Sequence, residues 1–100
     1  MKLYIDTTET EVITIKFDDR VYKTNSKKEK AQRLLPFIIE KLNEENIDVT
    51  KITEVNVNTG PGSFTGIRVG VAVASTLGWA LGIPVNGKKL ANGKMPDIKY

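Results

Sequence analysis

The sequence predicts an α/β fold: one lobe in which a mixed five-stranded sheet carries two main helices, in the order β-β-β-α-β-α-β. Three patterns point to it. Glu11 to Phe17 alternates in character at a period of two, and Ala31, Leu34, Leu35, Ile38, Ile39 and Leu42 recur at helical spacing. A β-branched stretch from Glu54 to Thr59 then runs into the glycine-rich turn GPGSFTGIRVG, Gly60 to Gly70, and an uncharged stretch from Val69 to Val85. Strand, glycine turn, helix is an arrangement that points backbone N–H groups outward, so function is sought at that turn.

The elements follow in order. Leu3 to Asp6 reads as a buried strand ending on a carboxylate, and Glu11 to Phe17 as the second strand. Asp18-Asp19 makes a turn and Arg20 to Thr24 returns as the third, completing an antiparallel meander. Ser26 with Glu29 forms a capping box, which predicts a helix from about Lys27 to Glu45, kinked at Pro36 because proline leaves the Gln32 carbonyl without its donor. Thr50 to Glu54 leads into the fourth strand, and the second helix reaches about Leu81, where Gly82 ends it. Ile83 to Val85 reads as a short fifth strand.

Composition removes several chemistries. The 100 residues suffice for one domain, and the 40% hydrophobic content fits a soluble globule. Zero cysteines and zero histidines exclude disulfides, thiolate chemistry and the commonest general base and metal ligand. The opening residues Lys2 to Asp6 hold no signal-peptide core, so a cytoplasmic location is expected. The uncharged stretch approaches membrane-spanning length, but Gly70, Ser75, Thr76, Gly78, Gly82 and Pro84 interrupt it, and it reads as a buried helix. Residues 1–85 form a neutral lobe, and the whole +3 lies in a basic tail, residues 86–100, with Lys88, Lys89, Lys94 and Lys99 against Asp97. Asn86-Gly87-Lys88 and Asn92-Gly93-Lys94 are turn signals within that tail.

Four features carry chemistry. Gly66, Gly70, Ala74 and Gly78 fall every four residues and form a stripe of minimal side chains on one face of the second helix. Each glycine inside a helix costs about 1 kcal/mol relative to alanine. The stripe serves either close packing within the lobe or a groove for a partner helix, and in the second case Gly70→Leu abolishes the complex and spares the fold. Asp6-Thr7-Thr8 at the first strand's end has the form of a phosphate- or metal-contacting site, but reads first as an Asp capping its own turn. Ser63 lacks the flanking glycines and the histidine of a hydrolase elbow and reads as the N-cap of the second helix. Arg68 pairs with a carboxylate or phosphate, or lies along the surface as a solvated charge; no Walker loop is present.

Ile5-Asp6-Thr7-Thr8, Gln32-Arg33-Leu34-Leu35-Pro36, the whole run from Gly60 to Gly70, and Leu81-Gly82-Ile83-Pro84-Val85 together resemble the N-terminal lobe of the TsaB (YeaZ) family. The resemblance covers about residues 1–87, and the glycine run is its specific part. It implies an actin-like, ribonuclease-H-like lobe in an accessory protein for threonylcarbamoyladenosine synthesis in tRNA, without catalytic residues, metal or cofactor of its own. Family members bind a catalytic TsaD subunit through two lobe helices and work alongside the ATPase TsaE. Carried over, the partner-facing residues are Gln32, Leu35, Pro36, Ile39, Gly66, Arg68, Gly70, Val73, Ala74 and Leu77, with pairing of two copies as another use of the same face. Asp6, Thr7, Thr8, Gly60, Pro61, Gly62 and Ser63 would be a vestigial nucleotide site.

The sequence departs from the family pattern in two ways. A typical member has a second lobe, and actin-like folds hold nucleotide between two lobes, so this lobe offers at most half of a site. The NGKKLANGK tail stands where the family continues into a helix; its lysines either keep the lobe soluble or contact tRNA weakly. An enzymatic alternative remains, a metal-dependent phosphohydrolase or nuclease using Asp6. It needs further carboxylates such as Glu9 or Glu54 to converge there.

Overall fold

The computed structural model describes residues 1–26 and 30–89. Strands β1 (Lys2–Asp6), β2 (Val12–Phe17), β3 (Arg20–Asn25) and β4 (Glu54–Val57) form one sheet in the order β3-β2-β1-β4. β1 and β2 pair antiparallel with Ile5 opposite Ile15, β2 and β3 pair antiparallel with Ile15 opposite Tyr22, and β4 runs parallel to β1 with Val57 opposite Ile5. The alternation predicted for the second strand is met: Ile13, Ile15 and Phe17 are fully buried. The predicted Asp18-Asp19 turn closes the β2–β3 hairpin, with Asp18 at φ 56° and its Oδ1 accepting from Lys2 N at 2.8 Å.

Helix α1 (Lys30–Glu44) runs unbroken through Pro36. The expected start at Lys27 and the capping role of Glu29 lie outside the described residues. Leu34, Phe37, Ile38 and Leu42 of α1 share one core with Ile67, Val71 and Ala74 of α2 (Phe64–Leu81) and with the inward residues of β1, β2 and β4. A single 3-10 turn at Val49–Lys51, capped by the Asp48 carboxylate on Thr50 N at 2.9 Å, joins α1 to β4. The sheet's other face is polar: Tyr4, Thr14, Lys16, Glu54 and Asn56 are half-buried there, and Lys16 Nζ sits 5.3 Å from the Tyr4 ring.

The ends of α2 match the sequence reading. Ser63 Oγ accepts from Gly66 N at 3.2 Å, and Gly82 at φ 66° turns the chain out while Ile83 N donates back to Gly78 O at 2.9 Å. By length and composition α2 could cross a membrane. In the lobe it packs as a core helix against β1 and β4.

Two expectations are corrected. The sheet has four strands, because Val85 makes only one parallel bridge, to Val55. The next rung on β4 is filled by a side chain: Asn86 Oδ1 accepts from Val57 N at 2.8 Å and Asn86 Nδ2 donates to Val57 O at 3.1 Å, while Asn86 and Gly87 turn the backbone away at φ 50° and 82°. The second correction concerns the assignment of Gly66, Gly70 and Ala74 to a partner face: of the two readings of the small-residue stripe, close packing within the lobe is the one met. A Cβ added at Gly66 would lie 2.1 Å from Thr7 O, at Gly70 2.4 Å from Thr7 Oγ1, and at Gly78 2.2 Å from Val85 Cγ2. Gly70→Leu must therefore break the fold rather than spare it.

Gly78→Ala should lower stability by roughly 1–3 kcal/mol, the usual cost of forcing an extra carbon into a filled core. Chemical denaturation beside a matched Ala72→Gly control, on the half-exposed side of the same helix, checks it; equal small losses at both positions would contradict the packing.

Candidate functional site

β1 delivers Asp6 to the end of the sheet next to the glycine turn, and the carboxylate is fully engaged there. Its Oδ1 accepts from Thr8 N at 2.9 Å and Thr8 Oγ1 at 2.7 Å; its Oδ2 accepts from Asn58 Nδ2 at 3.2 Å, with Tyr4 OH at 3.5 Å. Asp6 thus caps its own turn. Burial pushes its pKa up, but hydrogen bonds from the Thr8 hydroxyl and N–H, Asn58 and Tyr4 together outweigh that and hold it below 3.8.

The two loops expected to form a vestigial nucleotide site are knitted into one unit. Asn58 Oδ1 accepts from Gly60 N at 3.1 Å, Ser63 N donates to Thr8 O at 2.8 Å, and the buried Thr7 Oγ1 donates to Gly66 O at 2.5 Å. Gly62 sits so close that a Cβ there would lie 2.7 Å from Thr8 O, while Pro61 is exposed at the turn's tip. Lys30 Nζ reaches over from α1 to Thr7 O at 3.1 Å and also to Glu9 O. Desolvation lowers the Lys30 pKa, partly offset by Asp6 and Glu9. Beside this ammonium lies a cavity of about 290 Å³ lined by Thr10, Glu11, Lys30, Ser63, Thr65 and Gly66, among others.

The acids that the enzymatic alternative needs are not assembled. Glu54 pairs with Lys2 at 3.5 Å, Glu9 is exposed, and among the described residues no three acids or other metal-binding side chains form a group that could hold a metal ion. Asp6 itself is held by Thr8, Asn58 and Tyr4.

The outer face of the helix pair is of a different kind. Leu35 is 39% and Ile39 47% exposed on α1, beside exposed Gln32 and Pro36. Val73 and Leu77 of α2 are half-buried, and with Ala31, Leu35, Ala72 and Thr76 they line an apolar groove of about 240 Å³. Arg68 lies along α2 with its guanidinium 5.3 Å from the Phe64 ring. Gly66, Gly70 and Ala74, assigned with these residues to a partner face, are instead buried against the sheet. Sequence reasoning missed Asn58 and Lys30, whose roles arise only from the meeting of β1, α1 and β4; the polar Asn58 closing a β-branched run was the only available signal. Trp79, 69% exposed near the end of α2, was also missed.

Comparison with known proteins bears on the fold and the family. Residues 20–87 match the family profile described as TsaD: tRNA N6-adenosine threonylcarbamoyltransferase. The chain is 38% identical over 65 residues to the tRNA threonylcarbamoyladenosine biosynthesis protein TsaB of Bacillus subtilis (strain 168), spanning 65% of this chain and 28% of the relative. The TsaB protein of Escherichia coli (strain K12) is 35% identical over 60 residues, 60% of this chain and 26% of that protein. The fold matches YeaZ from Pseudomonas aeruginosa with a TM-score of 0.72 and 30% identity, covering 84% of this chain and 41% of that one. The chain belongs to the TsaB (YeaZ) family. It spans about a quarter of the length of these two curated TsaB relatives, and within the TsaB fold it is a single lobe.

Removing the Asp6 carboxylate from this TsaB lobe by Asp6→Ala should destabilise it by about 1–3 kcal/mol at neutral pH, the range for hydrogen bonds to a charged group. Because the folded pKa lies below the unfolded 3.8, the contribution is complete above 3.8 and fades as pH falls through the folded value. Urea titrations of both proteins at neutral pH and in stronger acid should therefore show the gap closing. A gap constant across that range would contradict the assignment.

Proposed function

We propose that this lobe is a non-catalytic scaffold for threonylcarbamoyladenosine synthesis in tRNA, docking a TsaD-like catalytic subunit on the outer face of α1 and α2. The supporting observation is the apolar strip in which Leu35 and Ile39 are exposed and Val73 and Leu77 half-exposed, while the lobe's strand-end carboxylate is consumed by its own turn. Gln32, Pro36 and Arg68 edge that strip with polar and rigid groups, in keeping with an apolar centre and polar rim. Gly66, Gly70 and Ala74 contribute from below by seating α2 close to the sheet. Family membership supports the same reading, with a TsaE-like ATPase as a further component of the assembly and a second copy as an occupant of the face when the catalytic subunit is absent.

The vestigial nucleotide site falls to the junction of Asp6, Thr7, Thr8 and the turn Gly60 to Ser63. Contact with tRNA is indirect or weak, through the basic tail, whose Lys88 and Lys89 are exposed. Lys94 and Lys99 lie outside the described residues. The location that goes with this role is cytoplasmic.

The double substitution Leu35→Asp with Ile39→Asp should shift stability by no more than about 1 kcal/mol, since both sites are substantially exposed, yet reduce co-elution with a TsaD-like subunit below detection. Unchanged co-elution by size-exclusion chromatography and light scattering would overturn the docking face.

A further inference from the structure

Asn86 lies in an exposed two-residue turn that bridges Val85 to Lys88, with Val85 N donating to Lys88 O at 2.8 Å and Lys88 N to Val85 O at 3.1 Å. Positive φ at both Asn86 and Gly87 is the backbone of a hairpin turn favoured by the Asn-Gly pair. On the sheet side, Asn86 N donates to Val55 O at 2.9 Å, and the carboxamide makes both bonds to Val57 that a further strand residue would make. The residue after Val57 is Asn58, whose own carboxamide joins Asp6 to Gly60. One side chain therefore fastens β4 immediately before the junction of the two loops.

We propose that Asn86 is a deamidation site held in check by the sheet edge it completes, and a positioning residue for the strand end that carries Asn58. In the reaction the Gly87 backbone nitrogen bonds to Asn86 Cγ and the Cγ–Nδ2 bond breaks. The Gly87 amide proton and the departing NH2 group leave as ammonia. Solvent water then opens the resulting cyclic imide to an aspartyl or isoaspartyl residue, so no other reactant is required. Glycine puts no side chain in the path of the attacking nitrogen, and the exposed turn admits water. The attack needs the carboxamide to leave Val57, which the two hydrogen bonds resist. The product carboxylate is acceptor-only and has no hydrogen to offer Val57 O, so the edge does not close again as before. This inference stands apart from the docking of a catalytic subunit.

The test follows Asn86 by peptide mass mapping during incubation of the wild-type chain in neutral buffer and in concentrated urea. Conversion should be at least about tenfold slower in the folded protein, a factor of ~1.4 kcal/mol and the size of one or two net hydrogen bonds. In parallel, Asn86→Ala, which adds no charge, should raise the Asp6 pKa measured by NMR titration toward 3.8, because the end of β4 that carries Asn58 is then held on one side only, by its pairing with β1 and by Asn58 N on Ile5 O at 2.9 Å. Loss of stability elsewhere would not move that titration. Equal conversion rates with and without urea would overturn the protection, and an identical Asp6 titration in Asn86→Ala and wild type would overturn the positioning role.

Discussion

The short distance between α2 and the sheet is the constraint on which the rest of the lobe depends. Thr7, fully buried at the end of β1, donates to Gly66 O at 2.5 Å, and the space where Gly66 and Gly70 would carry a Cβ is already filled by Thr7 atoms. Eight residues along the helix from Gly70, Val85 fills the same space at Gly78. Three side-chain-free positions cost about 3 kcal/mol in helix propensity. Burial of Ile67, Val71, Ala74 and the facing strand residues offsets this, each large apolar side chain contributing about 1.5–3 kcal/mol.

That close seating decides what each end and face of the lobe can do. It brings the mouth of α2 against the β1–β2 loop, so the glycine turn and Asp6-Thr7-Thr8 satisfy one another's polar groups and present a closed junction. It also fixes which flank of α2 lies beside α1. Val69, Val73 and Leu77 come to the helix–helix seam half-covered, and with Leu35 and Ile39 they leave apolar surface outside the core. Exposed apolar side chains that line up along two adjacent helices differ from the isolated ones found on any protein surface, and such alignment is what a docking face requires.

Electrostatics reinforces the same division. The carboxylate at the strand end is held ionised by four donors from the chain itself, and the Lys30 ammonium is tied to two backbone carbonyls of the adjoining loop. The first charge fastens two loops to one another, and the second fastens a loop to α1. On the distant side, Glu45 receives Tyr22 OH and pairs with Arg20 at 3.3 Å, joining β3 to the end of α1. The charged groups nearest the core thus act as ties between elements.

By itself the sequence determined what short-range periodicity and capping chemistry can specify. The alternation of Ile13, Ile15 and Phe17, the helical spacing from Leu34 to Leu42, the Ser63 N-cap and the Gly82 stop are legible because each depends on neighbours within a turn or two. The family resemblance was legible too, since the glycine run is contiguous. Tertiary structure alone decided the rest. Which way the Gly66–Gly70–Gly78 stripe faces depends on the sheet it meets, and Asp6, which caps its own turn through Thr8, gains its link to the β4 end only because folding brings Asn58 to its second oxygen. The fifth strand reduced to one bridge for a similar reason: a left-handed Asn86 backbone turns the chain away, and its carboxamide, placed beside Val57 only by folding, completes the ladder that the backbone leaves.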